Sequence, residues 1–115
     1  MKPFMTEADF LCSEVEIKGQ LYKKGQIVIL KMMTPDELKV GLILSILVNK
    51  NEAYFVTHEY VANKQSLQYF KAQSEDPPIV INEVSTIVDY KPLVNHGTSS
   101  LLLFCLHHYL SFCYP

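Results

Sequence analysis

Hydrophobic positions along the chain fall mostly at strand spacing. Val15, Ile17 and Leu21 alternate with Glu16, Lys18 and Gln20, the period of a half-buried strand. Gly19 is expected to interrupt or bulge that strand. Lys23-Lys24-Gly25 reads as a turn, and the β-branched run Gln26 to Leu30 as the next strand. Thr34-Pro35-Asp36-Glu37 is a break, because proline fixes φ and aspartate favours turns. Val40 to Val48 is almost continuously apolar, which suits a strand covered on both faces. Asn49-Lys50-Asn51-Glu52 is a hairpin signal, since asparagine tolerates the left-handed backbone of tight turns.

Ala53 to Ala62 returns as a long strand, followed by shorter ones at Leu67 to Ala72 and Ile79 to Ile81, with a polar loop at Ser74 to Pro78 between them. Val84, Ile87 and Val88 fit a helical stripe, yet their branching favours extended chain. Pro92 stops any helix near Tyr90. Asn95-His96-Gly97 is a turn. Leu101 to Leu110 fits a strand, or a helix capped by Ser99 or Ser100, and strand is favoured. At the other end, Thr6 with Asp9 can cap one helical turn. Residues 1–14 are expected to form an arm that lays Phe4, Phe10 and Leu11 on a single β-domain spanning 15–115. Such a series of short strands predicts a mainly β fold, a small barrel or curled antiparallel sheet.

The order of segments resembles a known family. Lys24-Gly25-Gln26-Ile27-Val28-Ile29 opens a strand, and Gly41-Leu42-Ile43-Leu44-Ser45-Ile46 leads through a hairpin to Ala53-Tyr54-Phe55-Val56-Thr57-His58-Glu59-Tyr60. Asn82-Glu83-Val84 and Tyr90-Lys91-Pro92-Leu93 follow. Over roughly residues 22–106 this is similar to the SH3-like barrel of bromo-adjacent homology (BAH) domains. Those begin with a Gly-Asp-x-Val strand and carry an Asn-Glu-Val motif before a Pro-Leu segment. Gln26 stands where that family has aspartate. The resemblance implies a protein-interaction module, often in chromatin, with no catalytic residues. The chain also resembles small β-modules of uncharacterised animal proteins derived from mobile elements. That likeness raises the alternative of a fragment of a larger protein.

Composition narrows the rest. With 115 residues, 49% hydrophobic and 19% charged, the chain carries enough apolar material for a core without a disulfide or metal. Ten basic residues against twelve acidic ones give a net charge of −2, which disfavours nucleic acid as a partner. Lys18, Lys23, Lys24 and Lys31 read as a solvated strand edge, where lysines also block unwanted pairing. Three unevenly spaced cysteines make no disulfide framework. Glu7 and Asp9 fall where a signal peptide needs an apolar core, and the greasy run from Leu101 to Leu106 is far short of the roughly 20 residues that cross a bilayer. The expectation is a soluble intracellular protein, nuclear or cytoplasmic, with no membrane association.

Candidate chemistry is sparse. Cys105, His107, His108 and Cys113 lie close together in sequence, but zinc wants four ligands in a tetrahedron. A strand aligns Cys105, His107 and Cys113 without His108, and a helix aligns Cys105 with His108 only. Metal binding, or thiol chemistry with His58, His96, His107 or His108 as base, therefore stays an alternative to plain core packing. Glu52, Glu59, Glu75, Asp76, Glu83 and Asp89 read as solvated charge. Gly19, Gly25, Gly41 and Gly97 are too scattered to cradle a phosphate. No cofactor is called for.

Tyrosines are the more suggestive group. Tyr54 and Tyr60 have matching parity with His58 between them, and Tyr69 and Tyr90 lie on later segments. Clustered tyrosines can cage a methylated ammonium or anchor a peptide. They also fill barrel faces with their hydroxyls reaching water. The expected function is a non-catalytic module that binds a protein or peptide through Tyr54, His58, Tyr60 and Tyr69, with chromatin the setting that the BAH resemblance implies. Phe104, Leu106, Tyr109, Leu110, Phe112 and Tyr114 add an apolar tail suited to self-association.

Overall fold

The computed structural model describes residues 9–49, 52–66, 69–87, 91–98 and 100–105, with the backbone alone for Asp9 and Phe10. Strands hold 69% of these residues, far above the 20–25% of an average domain, so the class is mainly β. Among the described residues nine strands follow in order: β1 (Asp9–Cys12), β2 (Glu14–Ile17), β3 (Gln20–Lys23), β4 (Ile27–Thr34), β5 (Glu37–Asn49), β6 (Glu52–Lys64), β7 (Tyr69–Gln73), β8 (Ile79–Glu83) and β9 (Leu101–Cys105). The 3₁₀ turn Val84–Thr86 follows β8.

The axis of the fold is the β5–β6 hairpin, paired antiparallel from Glu37↔Asn63 to Asn49↔Glu52. β4 and β1 share the free edge of β5, one at each end. β7 and β8 likewise divide the free edge of β6. β9 pairs with β7 and completes the seven-stranded antiparallel sheet. Its outermost strands in space, β4 and β9, do not pair with each other. The segment between them is stitched to both. Leu93 exchanges two backbone hydrogen bonds with Ile27, and the His96 N–H donates to the Leu103 carbonyl. The Asn95 carboxamide oxygen accepts from Leu103 N–H and Gly97 N–H.

Strand alternation gives this sheet two apolar faces, and both are used. Ile27, Ile29, Leu38, Val40, Leu42, Tyr60, Phe70, Leu93, Leu102 and Phe104 form one core on one side. The Phe70 and Phe104 rings stack there with centroids 5.6 Å apart. Val28, Ile43, Ile46 and Phe55 point to the opposite side and meet Tyr22, Val84 and Ile87. The Tyr22 ring tilts against Phe55 at 5.0 Å. Ile43 and Ile46 share this second face although three residues apart, because the register slips by one between Ile43↔Thr57 and Ser45↔Val56. The extra residue, Leu44, makes a β-bulge that resets the alternation. The unbroken apolar run at Val40 to Val48 is thus explained.

Most predicted strands appear where expected, with three corrections. Val15 to Leu21 is not one strand interrupted at Gly19. It is the two-stranded sheet β2–β3, joined by a tight turn at Lys18 (φ 51°) and Gly19 (φ 82°). Positive φ at both central residues marks the hairpin turn whose twist matches its strands. The second correction concerns the arm, since Asp9–Cys12 pairs with the end of β5, with Leu11 exposed. Third, the helical stripe at Val84 and Ile87 is only a 3₁₀ turn, both side chains reaching the second core. Phe4, the capped turn at Thr6, Val88, Tyr90 and the tail beyond Cys105 lie outside the described residues.

Two positions test this architecture. A Cβ on Gly41 would lie 2.9 Å from both Thr57 Cβ and Thr57 Cγ2, in the second core. Gly41→Ala should cost about 1–3 kcal/mol in urea unfolding, with Thr57→Ser in the same background recovering part of the loss. Equal stability of Gly41→Ala and the native chain would mean the contact is soft. Lys18 holds a left-handed conformation that costs a side-chain-bearing residue about 1–2 kcal/mol. Lys18→Asn, a residue that accepts this conformation, should gain about 0.5–1 kcal/mol in the same measurement.

Candidate functional site

The predicted tyrosine surface does not assemble. Tyr54, His58 and Tyr60 share a face of β6, as their parity requires. Tyr60, however, is in the first core at 3% exposure, with its ring closed off from solvent. Tyr54 stands six positions away, or about 20 Å along an extended strand, whereas a cation must lie within roughly 6 Å of each ring that cages it. Tyr54 is half-buried, and its hydroxyl donates to the Glu52 carboxylate. His58 is half-buried, opposite Leu42 and Ile79. Tyr69 is on the other face of the sheet, because its neighbour Phe70 pairs with Lys64 and enters the first core. The four residues thus occupy three separate environments.

The cysteine–histidine cluster is represented only by Cys105, half-buried at the end of β9 opposite Tyr69. His107, His108 and Cys113 lie outside the described residues. Among the described residues no three histidine, cysteine or carboxylate side chains come together as metal ligands. Cys12 is the other described cysteine, half-buried beside the second core. Lys18, Lys23, Lys24 and Lys31 are all exposed, with Lys31 on the edge strand β4 and Lys18 and Lys24 in turns. Among the described residues no helix is long and apolar enough to cross a membrane.

A different site emerges where the two layers meet. The β2–β3 hairpin lies over the second face of the sheet, held by Tyr22 against Phe55 and by the Gly25 N–H donating to the Ile43 carbonyl. Register puts Val15, Ile17, Gln20 and Tyr22 on the hairpin face turned to the sheet. Near the Lys18-Gly19 turn the layers separate and leave a cleft of about 720 Å³. Its apolar surface comes from Val15, Ile17, Val48, Ala53 and Val84. Glu16, Lys18, Glu52, Glu83 and Lys91 supply the charges around it. Ligand pockets run to about 300–1,000 Å³, and this cleft has that size, with polar and apolar residues in about equal number along its lining.

Sequence reasoning missed this site because its walls come from five separate segments. The only local signal was the parity of Val15 and Ile17, whose apolar side chains stay half-exposed over a buried strand pair. The far wall is positioned by a buried hydroxyl. Thr57, fully buried, donates to the Val80 carbonyl at 3.0 Å and accepts a long 3.4 Å bond from the Asn82 carboxamide. This ties β8 to β6 and so fixes Glu83 and Val84.

With this geometry in hand, the chain matches no protein-family model, no curated protein and no solved structure.

Burial pushes the Tyr60 phenol above its ordinary pKa of 10.0. The neutral ring belongs to the folded state, so its contribution to stability is complete below that pH. It is lost as the pH rises towards the higher folded value. Unfolding midpoints on the two sides of pH 10.0 should fall more for the native chain than for Tyr60→Phe. An equal fall in both would mean that Tyr60 ionises without disturbing the core.

Proposed function

We propose that this chain is a non-catalytic interaction module, an SH3-like and BAH-like β-domain that binds a peptide segment of a protein partner. The observation that carries the reading is the cleft between the β2–β3 hairpin and the sheet. It has an apolar floor continuous with a packed core, and its walls are set by register and hydrogen bonds. Pre-formed walls reduce the ordering cost of binding. An extended peptide placing one bulky apolar side chain between Val15 and Val84 would bury it on both sides, at about 1.5–3 kcal/mol for a full-sized aliphatic or aromatic group.

Support for the SH3-like reading comes from the curled β4–β5–β6–β7–β9 sheet. Residues 93–96 bridge the gap between its first and last strands, so the curl nearly closes around the first core. The order of strand, long hairpin, Asn-Glu-Val and Pro-Leu segments agrees with the BAH resemblance. A nuclear or cytoplasmic setting, with chromatin proteins among the partners, follows from that resemblance.

A peptide array probed with the full chain tests the reading. Bound peptides should shift the amide resonances of Val15, Ile17, Ala53 and Val84. Ala53→Phe, which fills the floor of the cleft, should weaken them by about tenfold or more while leaving the circular dichroism spectrum unchanged. Peptides that bind Ala53→Phe as tightly as the native chain would remove the cleft from the account.

A further inference from the structure

We infer that the β2–β3 hairpin is a flap, which swings away from the second core while the seven-stranded sheet stays folded, and so gates the cleft. The gating role rests on the cleft being the binding surface; the opening itself does not.

The hairpin is a separate two-stranded sheet with four-residue strands. Two-stranded hairpins are only marginally stable by themselves. Its two ends meet at a narrow neck, where the Lys24 N–H donates to the Ser13 carbonyl at 2.8 Å. The backbone bonds that fasten it to the sheet lie just beyond that neck, from Gly25 N–H to the Ile43 carbonyl and from Ile43 N–H to the Gln26 carbonyl. Among the described residues no backbone bond joins β2 or β3 itself to the larger sheet. Gly25 has a φ of 91°, and no atom lies within 4 Å of where its Cβ would stand. A glycine beside so narrow a neck can absorb the backbone rotation that a hinge requires.

Side chains hold the flap shut. Tyr22 is its one fully buried side chain, tilted against Phe55. Val15 and Ile17 are half-buried against the second core, and Leu21 is exposed on the outer face. When the flap lifts, Val28, Ile43, Ile46 and Phe55 keep Val84 and Ile87 as cover, so the core is opened and not lost. One anchoring ring and two partly covered side chains set a local opening well below global unfolding, with the open form at about 0.1–10%.

The cleft lies between this flap and the sheet. Val15, Ile17 and Gln20 line it from the flap, and Val48, Ala53 and Val84 from the sheet side. Only the closed flap presents both walls. An apolar side chain lodged between them touches both, so binding favours closure, and opening frees the way in.

Native-state hydrogen exchange of the full chain, read amide by amide, tests the flap. The pairs Val15↔Tyr22 and Ile17↔Gln20 supply its probes, and the β5–β6 hairpin the reference. Flap amides should exchange about 100-fold faster than the slowest β5–β6 amides after allowance for intrinsic rates. They should depend little on urea, because a small opening exposes little surface. Phe104→Leu, in the first core, should speed the β5–β6 amides about tenfold and leave the flap amides unchanged. Tyr22→Leu should speed the flap amides about tenfold. Flap amides that match the β5–β6 amides in rate and urea dependence, or that follow Phe104→Leu, overturn the flap. Capped Ala-Ala-Phe-Ala-Ala reads the gating, since it should slow the flap amides and not those of β5–β6. If the flap opens locally and this probe leaves its amides unchanged, the gating and the cleft reading fail and the flap stands. If the flap amides track the sheet while the probe shifts the Val15, Ala53 and Val84 resonances, the flap fails and the cleft reading stands.

Discussion

The structure depends on one constraint: a β-strand shows successive side chains to opposite faces, and β5 must satisfy an apolar core on each. Leu38, Val40 and Leu42 supply the first core and Ile43 and Ile46 the second. Strict alternation would put Ile46 on the face of Leu42, away from Phe55. The bulge at Leu44 restores it to the face of Phe55, its direct partner across the hairpin. Each buried Ile or Phe is worth about 1.5–3 kcal/mol, comparable to a sizeable part of a small domain's net stability. A one-residue irregularity is therefore cheaper than the parity it corrects.

A sheet with two apolar faces needs two covers, and the covers differ. Residues of the sheet's own strands, Phe70, Leu102 and Phe104 among them, pack together with Leu93 on the first face. Among the described residues the second face is covered by the short β2–β3 hairpin and the turn after β8. Tyr22 anchors that hairpin near the middle of the sheet, where Phe55 lies. Towards the Lys18-Gly19 turn the cover stops short, and the cleft is the unfilled margin. Val15 and Ile17 thus serve core and cleft together.

Legibility in the sequence follows from how local each signal is. The Val40 to Val48 run, the Thr34-Pro35 break and the Asn49 to Glu52 connection are contiguous, and each appears in the structure. Lys18-Gly19 was misread because glycine after lysine signals an interruption as readily as a hairpin turn. Only pairing across to Val15 and Tyr22 distinguishes the two. The parity of Tyr54, His58 and Tyr60 was legible. Their depth was not, since depth depends on what covers each point of β6. The face of Tyr69 depends on the Lys64↔Phe70 register, which cannot be read from either segment alone. The cleft was invisible for the same reason, its walls running from Val15 to Lys91.

Long-range pairing also explains why the cleft has a definite shape. Gly41 lacks a Cβ, and the space above it is taken by Thr57. The Thr57 hydroxyl, buried in a mainly apolar core, needs a hydrogen-bond partner and finds the Val80 carbonyl. That bond fixes β8 laterally on β6, in the register Tyr54↔Glu83 to His58↔Ile79. A slip by one residue would orphan the hydroxyl and turn every β8 side chain to the other face. Val84 would then leave the cleft wall. A small residue at the middle of the central strand therefore sets, through one buried hydroxyl, where an apolar residue of the cleft wall stands. The chemistry of the margin is inherited from the packing of the centre.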